Sequence, residues 1–518
     1  MTRRWLALGV ISLGVLVIGV DGTVLAVATP FITKDLESTA TQVLWIGDIY
    51  SFVLAALLVT MGSLGDRVGH KRLLLCGATA FTAMSVVTAY ASSAELLIGA
   101  RALLGVAGAT LAPSTLALIR GLFLQPRDRS IAVGVWASMF SAGAALGPVV
   151  GGLLLEHFWW GSVFLINVPV MAALLVGGIV LLPEQRHPTP GPWDLPSVAL
   201  SLVGVLGLVY AVKETAANGP RIDIAVIGVA GVAAFTLFVR RQLRLPAPLI
   251  DVRLFRNRAF SGVVAANLLS VLGLSGLVFF LSQFFQLVQG YSPMKAGLAE
   301  LPAAVAATVF GVLAGFAVRH WSQRAVLTTG LVLVGVAMAS LTAISPSTAY
   351  LRLGVALFFV GVGLGLAFTA ASDVIIGSVI PQRAGAAAAV SETAYELGMA
   401  LGIATLGSII TAVYRGLAIP PGTPDAVASR ARESLAAAVD ASAGLPADNA
   451  DGLLAAARDA FTGGLAIAAG VGSALLLVSA MAVWLLLRPR PAPPPDRQTN
   501  KLCSQSSPKG AGIKKSRR

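Results

Sequence analysis

Four carboxylates interrupt stretches that are otherwise apolar enough to lie in hydrocarbon. Asp21 sits in Ile18-Gly-Val-Asp-Gly-Thr23, and Asp48 in Trp45-Ile-Gly-Asp-Ile-Tyr50. Glu392 and Glu396 are four residues apart, which places both on one face of a helix. An acid at the centre of a spanning helix costs about 2.5–3.5 kcal/mol on insertion scales, so function is the first expectation for it. Such a carboxylate can hold a proton or an organic cation but hardly both, and that competition is the minimum an exchanger needs. The plainer alternative is an acid that pairs with an arginine or caps a break in the backbone. Arg101 is the basic residue that falls inside an apolar run. A buried arginine must pair, and these acids are its natural partners unless it snorkels to the surface. Trp45, Tyr50, Phe279, Phe280 and Tyr395 supply aromatic faces for a bound cation.

The elements that position these residues follow from composition. Of 518 residues, 56% are hydrophobic and 12% charged, against roughly 45–50% and 25% in soluble domains. With a mean hydropathy of +0.83, this excludes a soluble enzyme, a nucleic-acid binder and a disordered chain. Fourteen apolar runs are each about the 20 residues that a spanning helix needs, and strand-like alternation is absent. The sequence therefore predicts an all-α integral membrane protein of fourteen transmembrane helices. The net charge of +13 comes from 37 Lys and Arg against 24 Asp and Glu. Most of the cations fall in the loops of one side, the densest run being Arg240–Arg258, so the charge reports orientation. Both termini are expected in the cytoplasm, with the bilayer as partner. Arg3-Arg4 and Ala26-Val27-Ala28 imitate a signal peptide, but Asp21 interrupts the run and the stretch is long enough to span.

A faint internal echo divides the chain. Gly62–Lys71 and Gly315–Arg324 match in their glycine and terminal cation, while the second lacks the acid. This suggests an N-terminal six-helix half (1–185), two extra helices with a cytoplasmic linker (186–258), and a C-terminal six-helix half (259–487). Segment 413–459 reads as an external loop with one or two surface helices, and 488–518 as a disordered basic tail. In the first loop, Gly62 and Gly69 permit a tight turn, and Asp66 is placed to cap the next helix or accept from Arg67 or Lys71. In the run Gly143–Gly152 the glycines four apart, Gly143, Gly147 and Gly151, make a close-packing face, with Gly152 next to it, and Pro148 at its centre suggests a bend point. No Gly-Lys dipeptide occurs, so the chain carries no P-loop and needs no ATPase subunit by this reading. The four histidines and two cysteines offer neither metal-ligand spacing nor a disulfide framework, so no metal and no cofactor are expected.

Together these segments resemble the fourteen-helix drug:proton antiporters of the major facilitator superfamily. Gly62–Arg72 is similar to the family's loop 2–3 signature, with His70 where Arg is usual. Arg101–Gly105 is similar to its helix 4 signature, Val20–Val24 to its helix 1 signature, and Gly143–Gly152 to its helix 5 antiporter signature. Within the family, Leu44–Ser51, Phe164–Pro169, Asp251–Phe255 and Ala389–Glu396 resemble the QacA-type multidrug exporters. The resemblance implies proton-driven efflux of lipophilic cations by a monomer, with Asp21, Asp48 and Glu392 where such pumps place transport acids. It departs at Ala303–Thr308, which lacks the acid some relatives carry; only Glu300 could substitute. Monocations are therefore expected to be handled better than dications. A dedicated exporter of one antibiotic, and less so a proton-coupled importer or a membrane scaffold, are the other readings.

Overall fold

The computed structural model describes residues 2–184, 194–219, 221–246, 248, 252–377 and 384–487. Among them there is no strand, and thirteen helices are long and apolar enough to cross a membrane, with the shorter apolar stretch Leu195–Ala211 as a fourteenth. The order is α1 (Thr2–Asp35), α2 (Ala40–Val68), α3 (His70–Ala89), α4 (Ala94–Leu122), α5 (Pro126–His157), and α6 (Ser162–Leu165) with α7 (Asn167–Leu181) as one span. The pair α8 (Leu195–Asn218) and α9 (Ile222–Arg244) follows, then α10 (Arg258–Gln283) and α11 (Pro293–His320). The chain continues with α12 (Gln323–Ser340), α13 (Tyr350–Gly377), α14 (Ala384–Tyr414), the short α15 (Asp425–Ala431) and α16 (Leu435–Ser442), and α17 (Ala447–Leu486).

Two six-helix bundles result. In the first, α1 packs along α5, and α4 against α2 and α3; in the second, α10 packs on α14, and α13 between α11 and α12. The bundles meet along two seams, α2 with α14 and α5 with α11. Small residues set how closely the helices approach. A Cβ on Gly143 would collide with the Leu16 carbonyl, and one on Gly147 with Thr23 Oγ1, so these glycines let α5 lie directly on α1. Gly152 faces the other way: its Cβ would lie 2.6 Å from Met294 Cα of α11. Gly151 packs on Val24, and the Pro148 carbonyl lies against Gly297.

The end where α1 starts and α17 stops is here called proximal, the opposite end distal. Several of the described contacts join the bundles toward the distal side. Gln286 Nε2 donates to the Val27 carbonyl at 3.1 Å. Lys34 and Glu37, at the distal end of α1, pair with Asp440 and Arg430 at 3.8 and 2.8 Å. On the α2–α14 seam, Ser51 Oγ donates to Met399 Sδ at 3.7 Å, and Gly47 packs against Ile403. Helix α8 covers this seam through Val205, Leu206 and Val209, which pack with Phe52, Ala400 and Ala404. Its N-terminus is fixed by Asp194, whose carboxylate accepts from Arg241 Nη2 at 2.7 Å and from the Ser197 hydroxyl. Burial would raise the Asp194 pKa, but these hydrogen bonds outweigh it and hold the carboxyl below its ordinary range.

Two sequence expectations need correction. The stretch 62–72 is not an open loop: α2 runs to Val68 and α3 starts at His70, so Gly69 alone (φ +103°) makes the turn. Any side chain there would be strained and would meet Glu184. The last helix begins at Ala447 rather than near 460, because its N-terminal turns rest on α16. The tail 488–518 and segment 185–193 lie outside the described residues.

Candidate transport site

The site is built around a buried ion pair. Asp21 is fully buried midway along α1, and Arg101 of α4 is 1% exposed. Arg101 Nη1 stands 3.6 Å from Asp21 Oδ2, and its Nε donates to the Ile46 carbonyl of α2 at 2.7 Å. Its guanidinium also lies over the rings of Tyr50 and Phe164, 5.5 and 5.7 Å from their centroids. Arg101 therefore does not snorkel; three other elements, α1, α2 and α6, hold it.

Asn167, at the start of α7, completes the arrangement. Its Nδ2 donates to Asp21 Oδ1 at 3.4 Å and to Ser85 Oγ at 3.2 Å. Sequence reasoning passed over Asn167 as a site residue. Its only signal was an amide inside an apolar run, which α6 and α7 turn toward Asp21. The pair is not saturated: Asp21 Oδ2, Arg101 Nη1 and the Tyr50 hydroxyl have no hydrogen-bond partner. A buried, half-satisfied charge pair is costly unless a ligand or proton completes it.

Tyr50 links this pair to the second bundle. It is 2% exposed and packs into the space left by Gly105 and Gly108 of α4. Its hydroxyl is within electrostatic reach of Asp21, Arg101 and Glu396. Glu396 of α14 is 3% exposed, lies beside Ser51 of α2, and leaves Oε2 unpartnered. Glu392 is half-buried one turn nearer the proximal side, close enough to act on Glu396 and Tyr395. The Tyr395 ring lies between Phe140 of α5 and Phe368 of α13, at 6.2 and 6.0 Å. Asp48 is fully buried on α2 and has partners.

The other aromatics pack differently. Trp45 stands against Tyr210 of α8 at 6.1 Å, so its ring faces the accessory pair of helices. Phe279 packs on Gly47, beside Asp48 in sequence, whereas Phe280 packs on Phe461 of α17 and Gly407. Phe280 lines a distal cavity of about 40 Å³ with Gln283 and Tyr414, room for little more than water.

The proximal turn also differs from expectation. Asp66 does not cap α3; its Oδ1 lies 3.0 Å from His70 Nε2. Lys71 donates to the Ile179 carbonyl at 2.9 Å, Arg72 pairs with Glu184 at 3.4 Å, and Arg67 has partners of its own. Lys71, Arg72 and Gly69 thus tie the α2–α3 turn to the end of α7, within the first bundle. Among the described residues no group of histidines, cysteines and acids could hold a metal.

Two helical bundles around unsaturated buried charges define a membrane transporter rather than an enzyme. Residues 11–403 match the Major Facilitator Superfamily, and the chain belongs to that family. It is 46% identical to the multidrug efflux pump LfrA of Mycolicibacterium smegmatis, over 94% of this chain and 97% of the relative. It is 37% identical to the methyl viologen resistance protein SmvA of Salmonella typhimurium, over 94% and 99%. A third relative is the tetracenomycin C resistance and export protein of Streptomyces glaucescens, 32% identical over 98% and 96%. Among solved structures, a bacterial homolog of the human lysosomal transporter Spinster, inward-facing and unoccupied, superposes with a TM-score of 0.67 at 16% identity, covering 95% of this chain and 99% of that one.

Proposed function

We propose that this protein is a proton-coupled antiporter that exports lipophilic, mainly cationic compounds such as quaternary ammonium antiseptics and dyes, and so confers multidrug resistance. The observation that carries the reading is the buried charge cluster. Asp21, Arg101 and Glu396 meet around Tyr50, each with an oxygen or nitrogen left unbonded. A proton on a carboxylate there satisfies it; a cation entering from the proximal side displaces the proton and takes its place. Tyr50 and Tyr395 offer ring faces to that cation, a contact worth about 0.5–2 kcal/mol when desolvated.

In this reading the two halves alternate access between the two sides, and the cation enters from the proximal side. We place that side in the cytoplasm of a bacterium, where the basic loops belong. The membrane potential supplies about 2.3 kcal/mol per charge per 100 mV, and a pH unit about 1.4. Two protons per cation thus sustain at least a hundredfold gradient, which costs about 2.7 kcal/mol. The chain then needs no cofactor and no ATPase subunit, and it works as a monomer.

The test is reconstitution in liposomes with a trapped pH dye, adding ethidium or a quaternary ammonium to wild type and Asp21→Asn. Cargo-driven proton movement in wild type, lost in the variant, is expected. A normal variant would move the assignment to Asp48 or Glu392. Silence of wild type across several cations would favour the second reading, a dedicated exporter of one antibiotic. That reading has its own support in the tetracenomycin C relative, which aligns over nearly the whole chain. The lack of an acid in Ala303–Thr308 predicts better export of monocations than of dications. The name of SmvA makes methyl viologen, which carries two charges, the sharpest competitor to try.

A further inference from the structure

Glu300 takes no part in the cluster just described. It lies on α11, 9% exposed, with Oε1 bonded to nothing. Its carboxyl lies beside the Ser282 hydroxyl of α10. Ser282 Oγ also accepts from Gln286 Nε2 at 3.3 Å, and the same amide donates to the Val27 carbonyl of α1. Gln286 belongs to a π-helical turn, Phe284–Val288, that ends α10; such turns recur at functional sites. One turn before Glu300, Gly297 rests on the Pro148 carbonyl of α5. Glu300 therefore stands where α1, α5, α10 and α11 meet, on the seam between the bundles. Val27 is six residues beyond Asp21 on α1, about 9 Å along the axis, so this level lies between the central charges and the distal surface.

No cation balances Glu300 among the described residues. On α1 the next charged groups are Lys34 and Asp35, of which the first pairs with Asp440 and the second accepts from Trp160. At its distal end helix α5 offers the exposed Glu156 and His157, and α10 offers only amides and hydroxyls there, its Arg258 standing at the opposite, proximal end. Lys295 lies over the Tyr291 ring, Tyr350 of α13 donates to the Ala299 carbonyl, and Arg458 of α17 donates to Leu287. An ionised carboxylate sealed in this place would be uncompensated, whereas a protonated one satisfies itself against Ser282.

We propose that Glu300 is a second proton-binding site, which must take up a proton from the distal side before the bundles can close there. Opening the distal seam wets the carboxyl and lets it ionise; ionised, it holds the seam open until a proton returns. Binding here controls the return step of the cycle. The inference rests on the alternating-access reading of the central site.

The test places spin labels at Glu156→Cys and Ser292→Cys, both exposed, one turn beyond Gly152 on α5 and just before Pro293 of α11, whose backbone Gly152 meets across the seam, after Cys76→Ala and Cys503→Ala. Distances are measured in nanodiscs from mildly acidic to mildly alkaline pH. Wild type should shift from a short to a long separation as the pH rises. Glu300→Gln should stay short throughout, and Glu300→Asp should recover the shift; Glu300→Ala serves as the neutral variant if Gln does not purify. A pH response unchanged in the neutral variant, or absent from wild type, overturns the proposal. The distances do not depend on transport. Loss of cargo-driven proton movement in wild-type liposomes would sink the antiport reading alone, and an unchanged pH response would sink this one alone.

Discussion

Arg101 shows how much one side chain can be asked to hold. Its guanidinium reaches Asp21, the Ile46 carbonyl and two rings, contacts that a lysine ammonium cannot reproduce from one position. Arg101→Ala leaves Asp21 as a lone buried charge, and breaking such a pair costs about 3–5 kcal/mol. A thermal-shift measurement in detergent should show that loss. Arg101→Lys should retain more stability but little transport. Asn167→Ala removes the remaining donor to Asp21; we expect a fall in export several times larger than its effect on thermal stability, read by ethidium efflux in cells.

At the scale of elements, the α1–α5 contact depends on having no side chain at Gly143 and Gly147. Gly147→Val would push α5 off α1 at Thr23, whose hydroxyl donates to the Ala144 carbonyl at 3.0 Å. Overpacking of this kind costs about 1–3 kcal/mol. Because the same helix carries Gly152 onto α11, export should fall further than the melting temperature alone predicts. The α8–α9 pair is held differently, by Asp194, Arg241, Ser197 and Gln242. Since the folded Asp194 carboxyl sits below its ordinary range, its stabilisation is present above that range and is lost as the pH falls through the lowered value. Asp194→Asn should lower thermal stability at neutral pH and flatten its decline in acid.

For the whole molecule, the two bundles share a set of distal contacts and a charge cluster that draws on both. The ion pairs among Lys34, Glu37, Arg430 and Asp440 cross from α1 to α15 and α16 at the surface. Exposed pairs of this kind contribute about 0–1 kcal/mol. Asp440→Asn should therefore leave stability nearly unchanged while speeding distal opening, measurable as faster uptake of external cation into de-energised vesicles.

The one-dimensional features of the chain fix a good deal: fourteen apolar runs, the charged loops between them, the glycine face of α5, and acids too costly to sit in hydrocarbon without a purpose. Those are properties of composition and spacing, which need no partner to be read. The partners themselves come from folding in three dimensions. Residues such as Asp21 and Arg101, eighty positions apart, meet only because α1 and α4 cross. Asn167 and Tyr50 gain their roles from what stands opposite them, and Trp45 and Phe280 turn to α8 and α17 for the same reason. The α2–α3 turn shrank to a single residue because helix hydrogen bonds extend through Val68 and resume at His70, something glycine spacing alone does not reveal. In sequence Glu300 stands out only as the one acid near Ala303–Thr308. Its setting exists only where four helices from two bundles close on one carboxyl.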